Sequence, residues 1–163
     1  MRKKAIYAGT FDPLTYGHLD LIERSAEIFG HVILAVAQGS PKETLFTVQE
    51  RVDMITVVVK KMKNVEVVHF DGLLIKYAKQ RGVGVLIRGI RAYSDFEYEF
   101  QMALTNRKLD SAIETLFMMP KETHSYVSSS TVKEVASLCG DIRDFVPSSV
   151  ARALRSKYKC KLK

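Results

Sequence analysis

The stretch Gly9-Thr-Phe-Asp-Pro-Leu-Thr-Tyr-Gly-His18 decides the fold. It follows a short apolar run, residues 5–8, and opens an amphipathic stretch that predicts a helix over residues 17–29. A strand, a glycine-bearing turn and a helix, in that order, form a common phosphate site of α/β proteins, because free backbone N–H groups and the helix dipole favour negative charge. A histidine at the helix start can donate one more hydrogen bond to a phosphate oxygen. These ten residues therefore predict phosphate chemistry.

Strand-like and helical patterns alternate along the rest of the chain. Apolar, β-branched runs predict strands over residues 5–8, 32–37, 65–70, 85–87 and 115–119. Helical patterns cover residues 17–29, 48–61, 73–81 and 96–109, and a last helix is expected over residues 147–157. Several strands are apolar throughout, as expected when both faces are covered. The chain of 163 residues is thus predicted to be a single α/β domain with a doubly wound, parallel, five-stranded, Rossmann-like sheet.

Local signals refine the helices. Capping boxes, in which two side chains satisfy unpaired N–H groups of a first turn, are expected to begin at Thr47, Ser94 and Thr131. On the helix predicted for residues 96–109, one apolar stripe is expected to pack on the sheet; it comprises Phe96, Phe100, Ala103 and Leu104.

Composition limits the classes of protein. Hydrophobic residues make up 47% and charged residues 26%, which is ordinary for a soluble globular protein. The net charge of +7 favours anionic partners, and the basic tail over residues 155–163 is expected to be a solvated end. No apolar run is long enough for a membrane span, and no signal-peptide pattern opens the chain, so a cytoplasmic protein is expected. Cys139 and Cys160 lack metal-ligand spacing and are expected to be reduced thiols.

Several common catalytic motifs are missing. No Gly-x-x-x-x-Gly-Lys-Ser/Thr segment occurs, which argues against a P-loop enzyme. Gly82-Val-Gly84 precedes a predicted strand instead of following one, so it is not a dinucleotide-binding turn. Neither a Ser/His/Asp arrangement nor a zinc-type His/Cys cluster is readable.

Candidate polar groups follow four predicted strands. They lie in residues 10–18, at Lys42, in Arg88-Gly-Ile-Arg91 and in His124-Ser-Tyr-Val-Ser-Ser-Ser130. Because the carboxyl ends of parallel strands share one sheet edge, these groups are expected to meet there. The serine run precedes a helix and is a second anion-binding candidate.

Two short motifs, Thr15-Tyr-Gly-His18 and Ser128-Ser-Ser-Thr131, resemble the signature of a nucleotidyltransferase superfamily, His/Thr-x-Gly-His with Ser-Ser-Ser/Thr. Further segments extend the resemblance over the whole chain to the bacterial phosphopantetheine adenylyltransferases. These segments are Gly9-Thr-Phe-Asp-Pro13, Phe46-Thr-x-x-Glu-Arg51, Leu86-Ile-Arg-Gly-x-Arg91, Asp95-Phe-Glu-Tyr-Glu99, Asn106-Arg107 and Ser128-Ser-Ser-x-Val-Lys-Glu134.

The resemblance implies an activity. Members of the family transfer AMP from ATP to 4′-phosphopantetheine, giving dephospho-coenzyme A and pyrophosphate, the penultimate step of coenzyme A synthesis. The phosphate nucleophile is already ionised, so direct in-line attack needs no general base and forms no covalent intermediate. The resemblance also implies Mg²⁺ accompanying ATP, a homohexamer and feedback inhibition by coenzyme A, with neither nucleic acid nor membrane as a partner.

Residue roles follow from the same resemblance. Four residues are implied in catalysis: His18 at the α-phosphate and transition state, Thr10 at the attacking phosphate, Lys42 at the pantetheine phosphate and Arg91 at the ATP phosphates. The implied ATP-binding residues are Thr10, Phe11, His18, Arg88, Gly89, Ile90, Arg91, Glu99, His124, Ser125, Tyr126, Val127, Ser128, Ser129 and Ser130. The implied pantetheine-binding residues are Thr10, Lys42, Leu73, Leu74, Arg88, Met102 and Asn106.

Other functions remain open at this point. The nearest are a nicotinate-mononucleotide adenylyltransferase and a glycerol-phosphate cytidylyltransferase, against which the 95–99 segment and Lys42 argue. A nucleic-acid-binding module would use the +7 charge, but it would be expected to interleave basic and aromatic residues on one surface, and no RNA-binding motif is present.

Overall fold

The structure, a computed structural model, describes residues 3–39 and 43–160, with the backbone alone at residues 93 and 94. Its strands are β1 (Lys4–Gly9), β2 (His31–Ala37), β3 (Val65–Phe70), β4 (Val85–Gly89) and β5 (Glu114–Met118). Its helices are α1 (Tyr16–Ile28), α2 (Val48–Val59), α3 (Leu74–Gln80), α4 (Tyr93–Leu109), α5 (Glu122–Ser125), α6 (Ser129–Ser137) and α7 (Ser148–Lys157). The four-residue α5 is the one helix here that the sequence pattern did not predict.

The five strands form one parallel sheet in the order β3-β2-β1-β4-β5. In the middle of the sheet, Ile6 of β1 is paired with Ile33 of β2 on one side and Leu86 of β4 on the other. The predicted doubly wound parallel sheet is confirmed. The strand order reverses between β1 and β4, and the crevice at the carboxyl ends of such a strand pair is the usual ligand site of open α/β sheets.

Both faces of the sheet are covered at its centre, which explains why residues 5–8 of β1 and 32–37 of β2 are apolar throughout. Along β1, Ala5 and Tyr7 belong to the core on one face, whereas Ile6 and Ala8 belong to the core on the other. The first core is completed by buried side chains of α1, α2, α6 and α7, and the second by those of α3. This arrangement holds α1 and α6 on the same side of the sheet, with their first turns beside the crevice.

The helix α4 differs from its prediction. Three of the four side chains expected to pack on the sheet are open, since Phe96 is 40% exposed, Phe100 44% and Leu104 49%. Ala103 is half-buried. Phe96 stacks on Phe100 and contacts Phe117 of β5. The physical reason is position: α4 lies beside β5, the edge strand, where little of the sheet is left to cover it. The stripe Phe96–Phe100–Leu104 is called the α4 face below.

Helix starts were predicted with mixed success. Thr47 caps α2 through both halves of a capping box, as predicted. The box expected at Ser94 is wrong, because the N-cap is Ala92 and α4 begins two residues earlier than the box predicted. The box expected at Thr131 is also wrong. Ser128 is the N-cap of α6, and its hydroxyl accepts the N–H of Thr131 at 3.0 Å, so α6 begins three residues earlier than the box predicted.

The expectation of two reduced thiols is also wrong. Cys139 and Cys160 form a disulfide with a Cα–Cα distance of 5.6 Å. Their separation of 21 residues gave no sign of the pairing; the contact between α6 and α7 brings the two positions together. The bond joins the end of α6 to the segment after α7.

Within residues 3–39 and 43–160, no helix combines the length and hydropathy that a bilayer crossing requires.

Candidate active site

A cavity of about 330 Å³ opens at the carboxyl ends of β1 and β4. Its walls are the end of β1 and the loop after it, the start of α1, residues 43–44 before α2, the end of β4, the start of α4, Pro120 and the start of α6. Three of the four polar segments predicted from the sequence meet there. Of the proposed site residues, ten line the cavity: Thr10, Phe11, His18, Arg88, Gly89, Arg91, Glu99, Ser128, Ser129 and Ser130.

His18 is held in one orientation by the start of α1. Thr15 is the N-cap, and its hydroxyl accepts the N–H of His18 at 3.4 Å. In return, Nδ1 of His18 accepts the backbone N–H of Thr15 at 3.1 Å, so the imidazole is the N3 side chain of a capping box. Because Nδ1 is used as an acceptor, the neutral ring bears its proton on Nε2. Nε2–H is therefore the donor left for a ligand.

The charge of His18 is set by its surroundings. Burial, together with the smaller effect of the nearby positive charge of Arg91, lowers its pKa to about 4. The ring of Phe11 lies edge-on to the imidazole, with centroids 5.2 Å apart. At neutral pH the side chain is thus an uncharged hydrogen-bond donor, which suits charge stabilisation without proton transfer.

Arg88 forms a fork with a carboxylate of α4. Its Nε and Nη2 donate to the two oxygens of Glu99 at 2.6 and 2.5 Å, and Nη1 donates to the carbonyl of Ala8 at 2.8 Å. Both side chains are largely buried, with 26% of Arg88 and 12% of Glu99 exposed. Burial lowers the pKa of Arg88, but the hydrogen bonds and charge of Glu99 outweigh it, so the pKa is raised overall. Arg88 is firmly cationic.

Arg91 is paired in the same way with Asp95, which lies on α4 one helical turn before Glu99. Its Nε and Nη2 donate to Asp95 at 2.9 and 3.2 Å, and its Nη1 donates to the carbonyl of Val127 at 3.4 Å. Asp95 and Glu99 are four residues apart on α4, so they lie on one face of it. The two arginines at the end of β4 are thereby aligned before any ligand enters.

The serine run forms the opposite wall. Ser129 donates its hydroxyl to the carbonyl of Pro13 at 2.8 Å, and the hydroxyl of Ser128 caps α6. The side-chain hydroxyls of these two serines are therefore used in hydrogen bonds within the protein. The groups that this wall offers to an anion are instead the backbone N–H groups of the first turn of α6, which is the kind of site that binds phosphate at helix starts.

Gly17 and Gly89 permit close approaches around the cavity. A Cβ on Gly17 would lie 3.2 Å from the carbonyl oxygen of His124. A Cβ on Gly89 would lie 2.7 Å from the Leu21 side chain of α1, so this glycine allows α1 to pack against the end of β4. Both glycines thus bring the walls of the cavity together.

Other proposed site residues lie elsewhere. Lys42 falls outside the residues that the structure describes. The pantetheine candidates Leu73, Leu74, Met102 and Asn106 are not among the described residues that line the cavity. Leu73 and Met102 are partly open, at 44% and 38% exposed, whereas Asn106 is buried at 6%.

The 124–127 segment and Ile90 lie at the margin. The ring of His124 stacks on Tyr16 of α1, with centroids 5.7 Å apart. Tyr126 is 71% exposed, Val127 is buried, and the Ile90 N–H donates to the carbonyl of Met118. With Ser125, these residues adjoin the cavity in the chain but do not line it.

Seven charged or polar residues that line the cavity were given no site role from the sequence: Tyr7, Asp12, Thr15, Glu43, Thr44, Asp95 and Lys133. Four of them, Asp12, Thr15, Asp95 and Lys133, stand inside the quoted motifs, so the signal was present, whereas Glu43 and Thr44 stand in no quoted motif. Tyr7 lies in an apolar strand and gave no signal; its burial raises the pKa of its hydroxyl.

Relatives of known family match almost the whole chain. A phosphopantetheine adenylyltransferase from Desulforudis audaxviator is 53% identical over 156 residues, covering 96% of each chain. One from Oleidesulfovibrio alaskensis is 52% identical, covering 96% of this chain and 92% of its own. The chain belongs to the phosphopantetheine adenylyltransferase family. The sequence profile of the wider cytidylyltransferase-like family matches residues 6–135, which include all the described residues that line the cavity.

Solved structures agree in fold with this phosphopantetheine adenylyltransferase family member. A Plasmodium falciparum nicotinic acid mononucleotide adenylyltransferase in complex with NaAD superposes with a TM-score of 0.70 at 14% identity. It covers 98% of this chain and 97% of its own. A candidate nicotinate-nucleotide adenylyltransferase from Vibrio parahaemolyticus gives a TM-score of 0.70 at 17% identity, covering 94% and 99%. These likenesses confirm the Rossmann-like nucleotidyltransferase fold.

Proposed function

We propose that this protein transfers the adenylyl group of ATP to 4′-phosphopantetheine, releasing pyrophosphate and forming dephospho-coenzyme A. The observation that supports it best is the pre-aligned group of donors in one cavity. Nε2–H of His18, two arginine forks and the first-turn N–H groups of α6 converge where phosphates would meet. Family membership at 50–53% identity supports the choice of acceptor.

In this proposal, the oxygen of the pantetheine phosphate attacks the α-phosphorus of ATP in line, and the bond to the pyrophosphate oxygen breaks. The attacking phosphate is already an anion, so no residue must remove a proton. His18 donates from Nε2 to the α-phosphate, where negative charge accumulates in the transition state. Thr10 and Lys42 act on the attacking phosphate, Arg88 contacts both substrates and Arg91 holds the ATP phosphates.

We further propose that Mg²⁺ enters with ATP, bound by its phosphate oxygens. Three of the four carboxylates among the described lining residues already have cationic partners in this chain: Asp12 with Lys133, Asp95 with Arg91 and Glu99 with Arg88. Among the described residues, no group of three or more His, Cys, Asp or Glu side chains could hold a metal ion. The ion is thus treated as part of the substrate, where it would offset phosphate charge.

Self-association is proposed for the α4 face. Phe96, Phe100 and Leu104, together with Leu116 of β5 at 40% exposed, form an open apolar strip at the edge of the sheet. Such strips on soluble proteins usually bind a partner, and a second copy is the occupant proposed here, leading to a homohexamer.

Coenzyme A contains the pantetheine arm of the product, and we propose that it inhibits the enzyme by binding in the active-site cavity. The cytoplasm is the proposed compartment.

The test is pyrophosphate release from ATP and Mg²⁺, comparing 4′-phosphopantetheine with nicotinate mononucleotide. Nicotinate mononucleotide is chosen as the second acceptor because one structural neighbour is a nicotinic acid mononucleotide adenylyltransferase. Release with 4′-phosphopantetheine alone is the expected result. Release with nicotinate mononucleotide alone would overturn the proposed acceptor but keep adenylyl transfer. Release with neither would overturn the proposed reaction.

A further inference from the structure

One carboxylate joins three walls of the cavity. Oδ1 of Asp12 accepts the N–H of Phe46 at 2.9 Å, and Oδ2 accepts both the N–H of Leu45 at 2.9 Å and the ammonium group of Lys133 at 2.7 Å. Asp12 itself is only 4% exposed. Its partners lie 33, 34 and 121 residues away in the chain, before α2 and on α6.

A buried arginine fixes the same segments from the other side. Nε of Arg51 donates to the carbonyl of Phe46 at 3.2 Å, and Nη1 donates to the carbonyls of Thr10 at 2.6 Å and Ala37 at 3.0 Å. Arg51 is 1% exposed; burial lowers its pKa, and the charge of Asp12 opposes that shift. Phe46 is therefore held at both its N–H and its carbonyl.

Lys133 is the cation whose position depends most on Asp12. It lines the cavity and is 25% exposed, against 5% for the Asp12 side chain. A lysine ammonium is a point charge on a flexible four-carbon stem, so it takes a defined position only where a partner fixes it. Asp12 is that partner, from the floor of the cavity.

We propose that Asp12 is a positioning residue: its carboxylate fixes the ammonium group of Lys133 in the cavity wall and holds residues 45–46 against the loop that bears Thr10. This inference rests on the adenylyl transfer proposed above. The loop after β1 and the first turn of α6 both supply anion donors, and Asp12 sets their relative position. Asp12 is not the base of the reaction, since three donors already occupy its oxygens.

The first test compares Asp12→Asn with wild type by pyrophosphate binding in calorimetry and by steady-state kinetics. Loss of one charged hydrogen-bond partner predicts pyrophosphate affinity about tenfold to hundredfold weaker, with a similar rise in the KM for ATP. Asp141→Asn is the matched control, because it breaks an exposed ion pair with Arg143, outside the cavity. The control is expected to behave as wild type. Wild-type affinity and KM in Asp12→Asn would overturn the inference.

The second test separates positioning from general stability. If Asp12 acts through Lys133, adding Asp12→Asn to Lys133→Met should weaken pyrophosphate binding little beyond Lys133→Met alone. A role limited to holding the fold would instead give the full loss of both changes in the double variant. That additive result would overturn the coupling to Lys133.

Asp12→Glu covers the case in which Asp12→Asn does not fold. It keeps the charge but moves the carboxylate by about one methylene, which displaces the ammonium group. Severalfold weaker pyrophosphate binding by the folded variant is expected, with folding checked by circular dichroism, and wild-type binding would contradict the inference. Pyrophosphate binding needs no acceptor substrate. A wild-type protein that binds pyrophosphate but transfers nothing to 4′-phosphopantetheine would therefore fail the proposed function alone, whereas no pyrophosphate binding would overturn the inference.

Discussion

Nδ1 of His18 lies 3.1 Å from the backbone nitrogen of Thr15 and accepts its hydrogen. The bond commits one ring nitrogen to the helix start and leaves Nε2–H for the substrate. We expect His18→Ala to lower kcat for pyrophosphate release by about a hundredfold, the usual effect of losing a transition-state donor. His18→Asn, which offers a shorter donor, is the matched variant and should recover part of the loss. An alanine variant with wild-type kcat would exclude His18 from the reaction.

The lowered pKa of His18 predicts a specific pH behaviour. Because the folded pKa is about 4 and the ordinary value about 6.5, the unfolded chain binds more protons than the folded protein between these values. The contribution of His18 should therefore lower the free energy of unfolding as the pH falls from about 6.5 to about 4. Above about pH 6.5, His18 should leave the free energy of unfolding unchanged. Melting temperatures of wild type and His18→Asn across this window test it. An NMR titration of His18 with a midpoint near 6.5 would contradict it.

The fork between Arg88 and Glu99 predicts that lysine cannot replace arginine at this position. An ammonium group cannot reach both Glu99 oxygens and the Ala8 carbonyl at once, whereas the guanidinium does. We expect Arg88→Lys to reduce kcat/KM for 4′-phosphopantetheine at least tenfold, measured at saturating ATP. Arg143→Lys, at an exposed ion pair, is the control and should leave kcat/KM for 4′-phosphopantetheine unchanged. Equal loss in both variants would show that the effect does not depend on the fork between Arg88 and Glu99.

The α4 face predicts the oligomeric state. Phe100→Glu places a charge in the middle of the apolar strip and should yield a smaller species in size-exclusion chromatography with light scattering. Val57→Glu is the control, because Val57 of α2 is also exposed, at 53%, but lies outside this strip. A wild-type protein that is monomeric at micromolar concentration would contradict the proposed assembly.

The disulfide predicts a redox-dependent stability. Closing a loop with a sequence separation of 21 residues is worth about 3 kcal/mol in the loop-entropy model. Denaturant unfolding with and without a thiol reductant should differ by that amount in wild type. The Cys139→Ser/Cys160→Ser variant should resemble the reduced protein and ignore the reductant. Equal stability of wild type under both conditions would show that the bond contributes nothing.

The sequence by itself determined most of the helices and strands, and the edge of the sheet at which the candidate site residues lie. Strand-like runs, several of them apolar throughout, alternate with helical patterns and predicted a parallel sheet covered on both faces. Its carboxyl edge was expected to collect the polar segments that follow four of the strands. The family motifs then pointed to the cavity residues, ten of which do line it. Local chemistry was enough here, because strand burial and the position of polar groups after strands are both encoded within a few residues.

The tertiary structure decided the partnerships. The sequence could not show that Asp95 and Glu99 would each hold an arginine, that Asp12 would reach Lys133 or that Cys139 would meet Cys160. Nor could it show that the apolar stripe of α4 would stay open, since periodicity marks a face but not what covers it. These contacts join residues brought together by packing. Their geometry follows from how the helices sit on the sheet, which no short stretch of sequence specifies.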